Sequence, residues 1–134
     1  MNQKNNSNMS LTKPIPKKLR NEMNADPFYH SCCLSGKTRA QVKIEWHHNF
    51  ETYQYGNKGR LNEKWCILPV AKIFNDKANV REVRDLLNWI MLNRASDETL
   101  EKYSKCLDLK RVRDNLNKQY DKKKVRENII KKYI

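Results

Sequence analysis

Apolar and polar residues alternate over "QVKIEW" (41–46), so that Val42, Ile44 and Trp46 share one side of an extended chain; this predicts a half-buried strand. A denser apolar run, "KWCILPV" (64–70), predicts a second, more buried strand stopped at Pro69. Between them "NFETYQYGNKGRLNE" carries Gly56-Asn57 and Gly59 and reads as the connecting loop. "VAKIFNDKAN" then predicts a short helix entered just after the proline. In "VREVRDLLNWIMLNRA" the period changes: Val80, Val83, Leu86, Leu87, Ile90 and Met91 fall on one helical face. Ser96-Asp97-Glu98 supplies a cap residue and acids at the positive end of a further helix. Val112, Leu116 and Tyr120, then Val125, Ile129 and Tyr133, run at four-residue steps and form a narrow apolar stripe on a long helix. Upstream, "PIPKKLRNEMNADP" reads as a short helix with Pro16 in its first turn and Asp26-Pro27 ending it. Residues 1–13, rich in Asn, Ser and Lys, read as disordered. The expected fold class is α+β and mostly helical, a two-stranded ribbon packed on helices.

Charge changes this picture. A chain of 134 residues fits one domain with a core of its own, but its formal charge is +13. Residues 1–20 carry +5 and residues 110–134 carry +7, leaving +1 for the 89 residues between. A nearly neutral body between two basic ends points to a polyanionic partner. The side chains expected to meet nucleic acid are Lys110, Arg111, Arg113, Lys118, Lys122, Lys123, Lys124 and Arg126. The longest uncharged apolar run, "WCILPVA", is far short of the roughly 20 residues that span a bilayer, so no membrane is expected. The first residues lack the apolar segment of a signal peptide. Cys32, Cys33, Cys66 and Cys106 are expected as free thiols in a reducing cytoplasm.

The chemistry concentrates in "KIEWHHNF", where His47 and His48 end the first predicted strand in a chain with one other histidine, His30. At a strand end the pleat breaks down, so two neighbours are expected to address one cleft. The wording "IEWHHNF", "GRLNEKWCILPV" and "KIFNDKAN", with the lead-in "DPFYHSCCLSGK", resembles the HNH (ββα-metal) endonuclease family, and most of all its phage-encoded branch. The resemblance covers roughly residues 26–95. It implies a small ββα-metal core that clamps one divalent cation between a strand end and a helix. It implies that His47 is a metal ligand and that His48 is the general base; imidazole accepts a proton at neutral pH without special tuning. The orienting asparagine of the family would be Asn62, with Asn57 second and Asn49 third. The helix lacks the family's usual histidine, and Asn75 stands at that position as in HNN variants, with Asp76 beside it as the alternative ligand. Such a ligand set binds Mg²⁺ or Mn²⁺, with Ni²⁺ also suited to imidazole. Structural zinc is not expected, because Cys32, Cys33 and Cys66 form no C-x-x-C pair.

The expected organisation is a basic arm over 1–20, an HNH-like nuclease unit over 21–95 and a basic helical extension over 96–134. The expected activity is metal-dependent hydrolysis of DNA phosphodiester bonds in the cytoplasm, that of the host if the chain is phage encoded. Two rivals stand beside it: an inactive nucleic-acid-binding descendant, and an interaction protein that dimerises through the C-terminal stripe. Cys33 and Cys66 are expected as buried small hydrophobes, and Trp46, Trp65 and Trp89 as core residues. Tyr53 and Tyr55 are outside candidates for contact with nucleic acid, and His30 is assigned no role.

Overall fold

The computed structural model describes residues 14–50, 61–104 and 107–133. Within them lies a mixed α+β arrangement, mostly helical, around one antiparallel two-stranded ribbon. Residues 1–13 of the predicted arm, read as disordered, most of the predicted loop and Cys106 fall outside the described residues, as do Tyr53, Tyr55 and Asn57.

Helix α1 (Lys17–Ala25) begins one residue later than expected, with Pro16 as its cap position rather than in its first turn. Proline suits that place, since it brings no N–H while its carbonyl accepts from Arg20 N at 2.9 Å. Asp26 ends α1, and its Oδ1 accepts from Phe28 N at 2.9 Å to start a single tight turn, Pro27–His30. The ammonium of Lys64, 2.9 Å away, and the Phe28 N–H hold the Asp26 carboxyl below its ordinary pKa. Tyr29 in this turn is fully buried, with its hydroxyl 2.7 Å from the Lys64 carbonyl and 2.8 Å from that of Ile67. Burial pushes its pKa up to about 12.

Strand β1 is Ile44–His48, displaced toward the C-terminus from the predicted 41–46. Val42 precedes it in a turn closed by its N–H on the Thr38 carbonyl. Strand β2 is Ile67–Ala71, also displaced, because Lys64–Cys66 form a tight helical turn instead of its first residues. Pro69, expected to stop the strand, sits at its centre opposite Trp46. The reason lies in the register. Lys72 N donates to Lys43 O and Asn49 N to Cys66 O, which makes 43/72, 45/70, 47/68 and 49/66 the hydrogen-bonded pairs. Trp46 and Pro69 are therefore a non-bonded pair, and the ladder needs no N–H from the proline. Its carbonyl faces outward and accepts from Cys33 N at 2.9 Å.

Helix α2 (Lys72–Asp76) follows β2 directly, and α3 (Arg81–Arg94) buries Val83, Leu86, Leu87, Met91 and Leu92. Val80, expected on that face, is exposed and precedes the helix. Helix α4 (Asp97–Tyr103) starts as predicted, with Ser96 accepting from Thr99 N at 3.1 Å. The predicted single C-terminal helix is two, α5 (Leu109–Gln119) and α6 (Lys122–Tyr133). Asp121 makes the break: its carboxylate accepts from Lys123 N and Lys124 N at 3.0 and 3.1 Å and starts α6 afresh.

One main cluster joins Leu68, Val70, Phe74 and the α3 residues to Leu100 on α4, Leu109 on α5 and Ile129 on α6. The apolar stripe Val112, Leu116, Tyr120, Val125 and Tyr133 packs against this same core. A smaller cluster of Met23, Tyr29 and Ile67, with Trp46 against it, lies on the other side of the ribbon. Ion pairs fasten the C-terminal helices at the rim: Arg113 to Asp97 at 2.6 Å, Lys110 to Glu101 at 2.7 Å and Lys132 to Glu82 at 2.7 Å. No helix among the described residues is long and apolar enough to cross a membrane.

Candidate active site at the end of the ribbon

The ladder continues through Asn49, so the pleat does not break at the histidine pair. Alternation then puts Glu45, His47 and Asn49 on one face and Ile44, Trp46 and His48 on the other. The two histidines diverge, contrary to the expectation that both address one cleft.

His48 meets Asn62, as expected, with Nε2 and Oδ1 2.9 Å apart. Asn62 in turn donates through Nδ2 to the Pro14 carbonyl at 3.2 Å, at the head of α1. That second bond settles the chemistry of the first. A carbonyl can only accept, so the Asn62 nitrogen must face Pro14 and its oxygen must face His48. The oxygen accepts, so Nε2 of His48 carries the proton. In the neutral ring Nδ1 is then the basic nitrogen. Among the described residues Nδ1 has no hydrogen-bond partner.

His47 is bound differently. Its Nε2 lies 3.1 Å from Asn49 Oδ1, and Asn49 Nδ2 donates to Asn88 Oδ1 on α3 at 2.8 Å. Asn49 and Asn88 are both almost fully buried, so each satisfies a polar group that the core would otherwise strand. Asn49 therefore orients His47, and Asn62 orients His48.

Asn75 reaches the His47 face from α2, where its Nδ2 donates to Glu45 Oε1 at 2.8 Å. Its amide oxygen is left for another use. Asp76, the alternative ligand, turns to solvent and pairs with Lys72 at 2.9 Å. Glu45 was not singled out in the sequence. Its signal was parity alone: it lies two residues before His47 on the same strand face. Glu45 and His47 share this face, with Asn75 joined to Glu45, whose other carboxylate oxygen lies 3.8 Å from Lys43 Nζ; a carboxylate, an imidazole and an amide oxygen are the donor types that suit a borderline divalent cation. No group of three or more His, Cys, Asp or Glu placed to hold a metal ion occurs among the described residues.

The remaining candidates sort by partner. Lys110 and Arg113 are tied to Glu101 and Asp97, while Arg111, Lys118, Lys122, Lys123 and Lys124 are exposed. Arg126 is half-buried. Cys32 and Cys66 are buried and Cys33 half-buried, all three as free thiols. Burial pushes the Cys33 and Cys66 thiols up, away from the reactive thiolate. Trp65 is buried, and Trp46 and Trp89 pack at the core's edge, in keeping with a packing role. His30 is exposed, 2.9 Å from the Asn24 carbonyl. Comparison with protein-family models, with curated proteins and with solved structures gave no match.

Proposed function

We propose that the chain is a metal-dependent endonuclease that hydrolyses DNA phosphodiester bonds on an HNH-like core of the HNN kind, phage type, at work in the cytoplasm. The observation that carries this reading is the chain His48–Asn62–Pro14, which commits Nε2 and leaves Nδ1 of the imidazole without a hydrogen-bond partner among the described residues. In this role His48 Nδ1 takes the proton from the attacking water, and Asn62 keeps the ring in the tautomer that can do so. Glu45, His47 and Asn75 would hold one divalent cation. Once bound, such a cation would stabilise the charge that develops on the phosphate and the leaving 3′ oxygen. Because the two histidines lie on opposite faces, the phosphodiester would have to cross the end of the ribbon, where the faces meet.

Cleavage of supercoiled plasmid by the full chain over a panel of divalent metals tests the reading. Cleavage is expected with Mn²⁺ and, at equal concentration, more slowly with Mg²⁺, since imidazole binds Mn²⁺ better. Plasmid left intact with every metal would remove the enzyme reading.

A second reading, binding of nucleic acid without cleavage, is favoured by the divergence of His47 and His48. Both readings place the affinity on the exposed cations. Substituting Arg111, Lys118, Lys123 and Lys124 together by Gln is expected to flatten the slope of log affinity against log salt by roughly 3 to 4, at about 0.9 for each phosphate contact. An unchanged slope would show that the basic helices point away from DNA.

A further inference from the structure

A cavity of about 450 Å³ opens between the Cys32–Leu34 segment, the C-terminal half of α3 and the start of α6, away from the histidine pair. Its size falls within the range of small-molecule sites. Phe28, Trp89 and Val125 supply apolar wall; Arg94, Lys122 and Arg126 supply charge, and no carboxylate among the described residues lines it.

Trp89, Asn93 and Asn117 of the wall satisfy one another. Asn117 Oδ1 accepts from Trp89 Nε1 at 2.8 Å and from Asn93 Nδ2 at 2.9 Å, and Asn117 Nδ2 donates to Asn93 Oδ1 at 3.1 Å. One nitrogen of each arginine is not satisfied. Nε of Arg94 and Nε of Arg126 are both buried without a hydrogen-bond partner. Arg94 stacks on Phe28, 3.6 Å from the ring centroid, with its nearest acid, Asp26, at 3.9 Å. The Arg126 guanidinium has no hydrogen bond or ion pair to any described residue. It lies over Gly36, where an added Cβ would come within 3.0 Å of its Cζ and Nη1. Gly36 has φ of +77°, so glycine serves there both for the turn and for the room the guanidinium takes. Both arginines line the cavity together with Cys33. A half-buried cation without a counter-charge costs stability, and a bound anion would recover it.

We propose that this cavity binds a single nucleotide unit, its phosphate held by Arg126, Lys122 and Arg94 and its base against Trp89 and Phe28. Arginine meets phosphate bidentately through paired N–H groups, and an aromatic wall takes the base by stacking. The site deepens the nucleic-acid reading above but needs neither metal nor cleavage. A free nucleotide and an unstacked nucleotide of a single strand share this chemistry.

The test is calorimetric titration of the full chain in EDTA with three probes: inorganic phosphate, deoxyadenosine monophosphate and a single-stranded tetradeoxynucleotide. The monophosphate or the tetranucleotide is expected to bind at least about tenfold more tightly than phosphate. Arg126→Gln is expected to weaken that binding at least about tenfold, the loss of one charge-assisted pair. Binding of the monophosphate identifies a free nucleotide as a sufficient ligand; binding of the tetranucleotide alone assigns the site to a strand. Should Arg126→Gln fail to fold, Lys122→Gln, at an exposed position, carries the test with a loss of about threefold or more. The proposal is overturned if neither nucleotide probe binds the folded chain, if phosphate alone binds as tightly, or if the folded variant binds like the parent. Because EDTA excludes metal-dependent cleavage, failure here leaves the endonuclease reading standing, and an inactive nuclease leaves this site standing.

Discussion

His48→Ala lowers plasmid cleavage by at least about a hundredfold, the low end of what a positioned general base contributes, while affinity for DNA stays within a few-fold of the parent. The split follows from where the side chain is held. His48 lies at the end of β1, its Nε2 committed to Asn62, and the exposed cations of α5 and α6 are on other elements. Removal of the imidazole takes away a proton acceptor and leaves the surface that attracts phosphate. Asn62→Ala should lose activity in the same direction but by less, because water can replace the amide oxygen while the ring loses its imposed tautomer. The readouts are the initial rate of nicking and the dissociation constant measured without metal. A His48→Ala protein that cuts near the parent rate would take His48 out of the mechanism.

Truncation after Ser104 abolishes cooperative folding. Read as a charge pattern, residues 110–134 look like a removable basic tail whose loss only weakens DNA binding. The packing says otherwise. Leu109 and Ile129 are each 1 % exposed, and Val112, Leu116, Tyr120, Val125 and Tyr133 lean on the same cluster as α3. At about 2–3 kcal/mol for each fully buried side chain and about 1 for each half-buried one, roughly 10 kcal/mol of burial is lost. That is comparable to the whole net stability of a small domain, about 5–15 kcal/mol. Thermal melting followed by circular dichroism should show no transition for the truncated chain. A melting curve within a few degrees of the parent's would show instead that α5 and α6 are not part of the core. For the same reason the electrostatic role of this segment is better tested by substituting its exposed cations than by deleting it. A dimer formed through the stripe would have to displace it from the chain's own core.

The legible part of the fold rested on local signals. Ser96 followed by two acids marks the start of α4, and the 3.6-residue period marks α3, because both patterns depend on residues within one or two turns. The break between α5 and α6 was also written in the chain: the stripe steps by four residues except between Tyr120 and Val125, where it steps by five. The residue inserted into the phase is where Asp121 caps a new helix. Pro69 misled, by contrast. Whether a proline breaks a strand depends on which edge its missing N–H faces, and that is set by the partner strand.

The candidate site divides in the same way. The family resemblance singled out Asn62 as the residue that orients the base through backbone hydrogen bonds; its side-chain oxygen lies 2.9 Å from His48 Nε2, across 14 residues of chain. Three things were not legible: Glu45 as the partner of Asn75, Asn49 as the partner of His47, and the divergence of the two histidines. Each depends on how far the β1–β2 ladder extends, and a run of eight residues does not encode the point where pairing with a distant strand ends.

By itself the sequence determined the start of α4, most of the apolar face of α3, the strongly basic balance and the adjacency of two imidazoles on a strand. These follow from side-chain chemistry and short-range periodicity, which act whatever the rest of the chain does. Tertiary structure decided the rest: that Pro69 is tolerated, that the basic C-terminal segment is core as well as charge, and that Arg94 and Arg126 line one cavity, Arg126 with no acid among the described residues beside it. Those outcomes depend on which distant surfaces meet, because a carbonyl, an apolar stripe or a guanidinium acquires its energy from the group across from it.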